Sequence, residues 1–377
     1  MLVAGGVDIV EQVDSADVAI FNSCAVTAAA EADLRQSVRR AARRNPRLRS
    51  IVTGCAAAAD GGVLRTLPSV TDIIAGADAA AVASALDLSA DVVDTVAIQQ
   101  TGARALLRIQ DGCDEHCTFC ITTVARGANR SRPIDELVRE ASALARHHNE
   151  IVITGIHIGT YGADSGSSLG ILMWRLITDV PDVRFRLSSI EATELNDTLR
   201  ELFVSNPRRL APYLHAPLQS GSDKVLKRMG RHWYTAESYT QAIQTLVDNR
   251  PVFGLSADVI AGFPGETEAD HEATLDVVNR LPFTSLHVFP FSLRPGTPAE
   301  RLSDSVPHGV ITRRAQELRS VAHAKAQAYR ARRAGTPADI VAIGAASQRQ
   351  GVTEDYLTIA VDPLIPRGTR FSGIVPM

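Results

Sequence analysis

Short apolar runs alternate with stretches of helical period along most of the chain. Asp17-Val18-Ala19-Ile20-Phe21 reads as a buried strand, and Ser50-Ile51-Val52-Thr53 as a second. Between them Leu34, Val38, Ala41 and Ala42 recur at helical spacing from Ala28 to Asn45. Arg35, Arg39, Arg40, Arg43 and Arg44 occupy the other faces, and Asn45-Pro46 ends the helix. From about Ala105 to Ser292 the pattern becomes strand then helix, repeated. The expected strands are Ala105–Ile109, Ile151–Thr154, Arg184–Ile190, Tyr213–His215, Ser256–Ile260 and Ser285–Phe289. Helices are expected to begin near Pro133, Ser168, Glu194, Ser222, Thr235 and Thr267.

Six strand–helix units in one run predict an α/β fold with a parallel sheet, either doubly wound or curled into a partial barrel. The loops after the strand ends are then expected to carry the chemistry. An Ala- and Arg-rich helical stretch follows from about Val310 to Arg333. Beyond it Ile340–Ile343, Tyr356–Val361 and Arg370–Val375 read as short strands separated by Gly, Pro and Asp. They predict a small carboxyl-terminal β-barrel module.

At 377 residues the chain has room for two or three domains. With 45% hydrophobic and 21% charged residues it is a folded protein with a sizeable core, which excludes disorder and collagen-like repeats. No run of about 18 apolar residues offers a membrane span. Met1 to Gly6 lacks the basic and apolar regions of a secretion signal, so a cytoplasmic location is expected. The formal charge is −3, and the basic residues are Arg apart from Lys224, Lys227 and Lys325. Surface solvation and phosphate contact both suit that Arg bias, and neither is excluded.

Chemistry concentrates in the five cysteines. Cys113, Cys117 and Cys120 form a Cys-x3-Cys-x2-Cys loop directly after the strand that ends at Ile109-Gln110, while Cys24 and Cys55 stand apart upstream. An odd cysteine count in an intracellular chain points to metal or reactive thiols. Three thiolates on one loop can ligate three irons of a cubane and leave the fourth without a protein ligand. A structural zinc would need a fourth ligand, for which His116 is the local candidate. Cys24 and Cys55 each sit at the carboxyl end of a strand, an edge where ligand sites gather. As buried apolar-like thiols they would have no such role.

Ile109 to Cys120 resembles the signature of radical S-adenosylmethionine enzymes. Ala125-Arg126-Gly127 and Arg130-Ser131-Arg132-Pro133 continue the likeness into the methylthiotransferase family of that superfamily. So do Asn22 to Thr27, Val52 to Cys55, Ala216 to Ser222 and Asp258 to Thr267, in order along almost the whole chain. The resemblance implies that Cys113, Cys117 and Cys120 hold a [4Fe–4S] radical cluster that binds S-adenosylmethionine. It also implies that Cys24 and Cys55 belong to an auxiliary [4Fe–4S] cluster that carries or receives sulfur. Gly155 to Gly159, with Gly155 and His157, match the region that holds the methionine amino group. Glu191, Gly262, Gly265 and Glu266 become candidates for ribose and adenine contacts. For His157 a loop histidine bonded to backbone is the alternative, and for Gly262 to Gly265 an ordinary turn. Arg126, Arg130 and Arg132 are candidates for phosphate or carboxylate contact, with a solvated or salt-bridged loop as the alternative.

The family carries three auxiliary cysteines, and this sequence shows none before Cys24. The resemblance therefore leads to two expectations: a start upstream of Met1, or an incomplete auxiliary site. Thr154 to Gly162 looks like the branch that acts on N6-threonylcarbamoyladenosine at tRNA position 37. The alternatives are the branches acting on isopentenyl-type adenosine or on a ribosomal-protein aspartate, and an iron–sulfur RNA-binding protein. The implied partners are tRNA and an external one-electron reductant such as a flavodoxin or ferredoxin, with no membrane. Gly351 to Leu357 resembles part of the TRAM domain. The expected layout is a methylthiotransferase domain over 1–95, a partial (βα)6 radical domain over 99–330 and a short TRAM-like module over 335–377.

Overall fold

A computed structural model describes residues 2, 5–23, 28–58, 62–76, 78–89, 100–248 and 250–377. Cys24 lies outside the described residues. The chain divides into two compact units. The first comprises Met1–Ala97, Gly112–Ala128 and Ser292–Glu300; the second comprises Ile98–Asp111, Asn129–Phe291 and Arg301–Met377.

In the amino-terminal part β1 (Val18–Ser23), α1 (Ala28–Arg44), β2 (Arg49–Gly54), α2 (Cys55–Ala58), β3 (Val70–Ala75) and α3 (Ala79–Ala85) follow one another. The strands form a parallel sheet in the order β1-β2-β3, with Ile20 opposite Ile51 and Phe21 opposite Val52. The apolar stripe of α1 does what its spacing predicts: Leu34, Val38 and Ala41 are buried, and Leu34 and Val38 pack with Val52, Ala56 and Leu64. Asn45 ends this helix and donates its side-chain amide to the carbonyls of Val13 and Ala16, at 3.1 and 2.8 Å. β3 was not foreshadowed by the hydrophobic pattern, because Val70–Ala75 is half-buried on both faces and shows no clean alternation.

The chain then runs through β4 (Ala105–Arg108), β5 (Gln110–Asp111), α4 (Thr122–Arg126), β6 (Arg130–Ser131), α5 (Ile134–Ala145) and β7 (Glu150–Thr154). Next come α6 (Leu169–Asp179), β8 (Arg184–Leu187), α7 (Asp197–Ser205), β9 (Tyr213–His215), α8 (Asp223–Arg228) and α9 (Ala236–Val247). β10 (Gly254–Ala261), α10 (Glu268–Arg280), β11 (Ser285–Pro290) and the long α11 (His308–Arg333) complete the α/β series. Two parallel sheets, β4-β7-β8 and β9-β10-β11, are joined by bridges from Phe185 to Leu210 and Ser189 to His215. The result is the six-stranded partial barrel among the alternatives the sequence offered. Side chains Ser168, Asn196, Ser222, Thr235 and Thr267 cap the starts of α6, α7, α8, α9 and α10. The helix expected near Glu194 thus begins at Asp197, after a single 3-10 turn over Ala192–Glu194.

Strand alternation divides the barrel wall into two faces. Leu255, Ala257, Val259 and Ala261 of β10 join Leu214 and Val288 in the main apolar core, so Ser256 and Asp258 face the other way, into the lumen. At the base of the lumen Glu150 takes Arg184 at 2.5 Å and Arg186 at 2.9 Å. Burial pushes the Glu150 carboxyl up, but Arg186 and Arg184 outweigh it and hold it well below the ordinary carboxylate range.

The last strands are β12 (Pro337–Ile343), β13 (Gln350–Thr353), β14 (Thr358–Ala360) and β15 (Arg370–Ile374). They form one antiparallel sheet in the order β14-β13-β12-β15. Tyr356, expected within a strand, instead sits in the β13–β14 turn with φ +73°. That turn docks on the barrel base. Tyr356 stacks on Tyr213 with ring centres 4.4 Å apart, and Arg186 donates to the carbonyls of Thr353 and Glu354. Asp355 accepts from Tyr329 and Arg333 of α11, which ties the sheet to the helix that leads into it.

Candidate active site

Within the first unit the cysteine loop is closed by backbone contacts on both sides. Gly112 has φ +76°, and a Cβ there would sit 1.8 Å from the Ala128 carbonyl oxygen, so only glycine fits this turn. The Cys113 amide donates to Gly127 and the Cys120 amide to Cys117, at 3.0 and 3.1 Å. Ala299 donates its amide to the Thr118 carbonyl, which holds the middle of the loop from a distant segment. The sulfur of Cys120 accepts the Thr122 amide at 3.4 Å. Cys113, Cys117 and Cys120 are all partly accessible, and none forms a disulfide.

Cys55 opens α2 at the end of β2, as its place after Gly54 suggested. Arg126, at the end of α4, donates its Nε to the Cys55 sulfur at 3.3 Å. Within the first unit Arg126 thus links the helix after the cysteine loop to the Cys55 turn by a charged hydrogen bond. Arg130 and Arg132, in the second unit, are engaged differently. Arg132 pairs with Glu140 at 2.7 Å and donates to the Arg108 carbonyl, and Arg130 lies 3.7 Å from Asp111.

The loop after β7 is organised by Gln110. Its side-chain oxygen accepts the amides of Ile156 and His157, each at 2.9 Å, and its nitrogen donates to Asn129. A Cβ at Gly155 would come within 2.9 Å of that same oxygen. His157 Nε2 lies 2.8 Å from a Glu194 carboxylate oxygen. Glu191 sits after β8 and takes the Arg231 guanidinium. Burial pushes the Glu191 carboxyl up, and the Arg231 charge opposes it. Arg231 also donates to Tyr234, and its place in this network has no local signal in the sequence.

After β10, Glu266 folds back to accept the Gly262 amide at 3.1 Å and Arg314 at 2.7 Å. Burial raises its pKa, while the Gly262 amide and Arg314 work against the rise. This carboxylate braces the turn that contains Gly262 and Gly265.

A second polar cluster, unmarked in the sequence, lies on the lumen face of β9, β10 and β11. Asp258 takes His215 Nε2 on one carboxylate oxygen and His287 Nδ1 on the other, both at 3.3 Å. His215 Nδ1 meets Ser256 Oγ at 2.7 Å, and Ser256 meets the Tyr213 hydroxyl at 2.6 Å. Burial pushes the Tyr213 hydroxyl up to about 12, so it stays protonated and can donate into this chain. Register brings the group together, since His215 lies opposite Ser256 and Asp258 opposite His287.

Residues 107–278 match the radical SAM superfamily, and residues 1–76 match the uncharacterized protein family UPF0004. The chain is 37% identical over 340 residues to the threonylcarbamoyladenosine tRNA methylthiotransferase MtaB of Thermotoga maritima, covering 86% of this chain and 77% of that protein. The protein of that name from Aquifex aeolicus is 32% identical, with 94% and 90% covered. The tRNA-2-methylthio-N(6)-dimethylallyladenosine synthase of Maricaulis maris is 33% identical, with 84% and 76% covered. Among solved structures, the radical S-adenosylmethionine methyltransferase TsrM of Kitasatospora setae aligns with a TM-score of 0.55 at 13% identity. That alignment covers 77% of this chain and 66% of TsrM, and it supports the fold.

Proposed function

The chain belongs to the radical S-adenosylmethionine tRNA methylthiotransferase family, and from that premise we propose that it methylthiolates C2 of N6-threonylcarbamoyladenosine at tRNA position 37. The product is the 2-methylthio derivative of that nucleoside. The observation that carries this reading is the likeness to threonylcarbamoyladenosine tRNA methylthiotransferases along most of the chain, at 37% and 32% identity.

Cys113, Cys117 and Cys120 are the ligands of the radical [4Fe–4S] cluster. Their loop fits such a group: three cysteines outside any disulfide, a backbone fixed at Gly112, and a sulfur at Cys120 that already accepts an amide hydrogen bond. When bound, that cluster supplies one-electron reductive cleavage of S-adenosylmethionine, using an electron from a reductant of the flavodoxin or ferredoxin type. Cys55, with Cys24, serves the auxiliary [4Fe–4S] cluster. Arg126 supports the Cys55 sulfur, because a cationic donor stabilises a thiolate.

In the barrel, Gly155 and His157, whose loop Gln110 holds, would bind the amino group of S-adenosylmethionine, and Glu191, held by Arg231, would bind its ribose. Glu266 keeps the Gly262–Gly265 turn in shape. Residues 1–95 serve the auxiliary cluster, 99–330 the radical chemistry, and 335–377 tRNA binding. No helix among the described residues is long and apolar enough to cross a membrane, and the proposed place of action is the cytoplasm, with the tRNA.

Nucleoside mass spectrometry of tRNA from a deletion strain tests the substrate. Loss of the methylthio group from threonylcarbamoyladenosine, restored by the gene, is the expected result. Loss from isopentenyl-type adenosine alone, or from a ribosomal-protein aspartate, would overturn it.

A further inference from the structure

The lumen cluster has one uncommitted edge. Both ring nitrogens of His215 are engaged, by Ser256 and by Asp258, and both Asp258 oxygens face imidazoles. His287 spends Nδ1 on Asp258, while among the described residues its Nε2 has no protein partner and its side chain is 57% exposed. An imidazole whose Nδ1 is fixed by a carboxylate presents Nε2 in a set direction. The hydrogen-bonded series Tyr213, Ser256, His215, Asp258 therefore positions His287 as the group that meets a ligand in the lumen.

The two nucleosides named among the chain's relatives differ in what such a group would meet. A dimethylallyl substituent on N6 carries only carbon and hydrogen. A threonylcarbamoyl substituent carries a urea, a hydroxyl and a carboxylate. The Nε2 of His287 would be left unpaired against the first and can pair with the second. A site built to hydrogen-bond its substrate rejects an analogue that lacks the bonding group much more strongly than an apolar pocket rejects an extra one.

We propose that His287, held by Asp258 and His215, reads the threonylcarbamoyl substituent of the target adenosine and so sets substrate choice. This rests on the tRNA methylthiotransferase reading above. It adds a specificity-determining residue that lies outside the cysteine loop and outside the Gly155, Glu191 and Gly262 loops.

The test is fluorescence anisotropy on the reconstituted full chain, with three anticodon stem-loop RNAs. They carry threonylcarbamoyladenosine, dimethylallyladenosine or plain adenosine at position 37. The wild type is expected to bind the first about tenfold more tightly than the others, the cost of one unpaired polar group. His287→Phe should remove that preference, and His287→Gln, which keeps a hydrogen-bonding group, should retain part of it. Asp258→Asn, which loosens the ring, should fall between wild type and His287→Phe.

Full preference in His287→Phe would overturn the inference and leave the substrate reading standing. A wild type that prefers the dimethylallyl RNA would overturn the substrate reading itself. Equal binding of all three RNAs by the wild type would overturn the inference. So would one zinc or manganese ion per chain that is lost in His287→Phe, since the imidazole edges would then serve the ion.

Discussion

Arg126 donates its Nε to the sulfur of Cys55 at 3.3 Å, across 71 residues of sequence. The helix that follows the cysteine loop thereby supports the sulfur proposed above as an auxiliary-cluster ligand. Arg126→Leu is expected to keep the radical cluster and lose the auxiliary one, about four irons per chain by cubane stoichiometry. Iron and sulfide analysis after anaerobic reconstitution reads this directly. Unchanged iron together with unchanged product yield would show that the contact has no bearing on the auxiliary site.

The two sets of cysteines should separate by assay. Cys117→Ala is expected to abolish formation of 5′-deoxyadenosine from S-adenosylmethionine under strong reductant. Cys55→Ala should still form it while yielding no methylthio nucleoside. If Cys55→Ala forms the methylthio product at the wild-type rate, Cys55 is not a ligand.

Glu150 lies at the barrel base with no exposed side-chain surface, between Arg184 and Arg186. Its pKa in the folded chain is held below the unfolded value, so its contribution to stability is present above the ordinary carboxylate range and is lost as pH falls below it. Glu150→Gln removes the carboxylate partner of buried Arg186 and leaves buried Arg184 with Asp339 alone, at 3.2 Å, and should cost about 3–5 kcal/mol at neutral pH. Urea denaturation of both proteins between neutral and acidic pH is the check. Stability should fall more steeply with pH in the wild type than in Glu150→Gln, and parallel curves would contradict the assignment.

Asp355 joins the terminal sheet to α11 by accepting from Tyr329 and Arg333. Asp355→Ala takes one of two carboxylates from buried Arg333, leaving Glu354 at 2.9 Å, and leaves the buried Tyr329 hydroxyl without its acceptor, so a loss of about 3 kcal/mol is expected. A double-mutant cycle with Arg333→Ala should show strong coupling between the two positions. Additive losses would mean that the pair does not act as a unit.

The features legible in the sequence were local ones. Cys113, Cys117 and Cys120 fall within eight positions, and the strands of the barrel announce themselves as apolar runs between capped helices. What escaped was brought together by register and long-range folding. β13 buries Gly351, Val352 and Thr353, yet only one of these is an apolar residue large enough to mark a strand. His215, Asp258 and His287 stand on three separate strands, each unremarkable alone, and only pairing β9-β10-β11 makes them one cluster. Arg126 was singled out as a possible phosphate or carboxylate contact, but no local pattern could reveal that its donor reaches Cys55. Arg231 was hidden for the same reason, since its partner Glu191 follows a different strand.

Methylthiolation of threonylcarbamoyladenosine can be read in a single reaction. Anaerobically reconstituted protein is given S-adenosylmethionine, a strong reductant and tRNA bearing either threonylcarbamoyladenosine or isopentenyl-type adenosine, and the digested nucleosides are weighed. The expected product is 2-methylthio-N6-threonylcarbamoyladenosine from the first tRNA, with 5′-deoxyadenosine formed alongside, and no methylthio product from the second. Methylthiolation of the isopentenyl-type tRNA alone, or 5′-deoxyadenosine with no methylthio nucleoside from either, would contradict it.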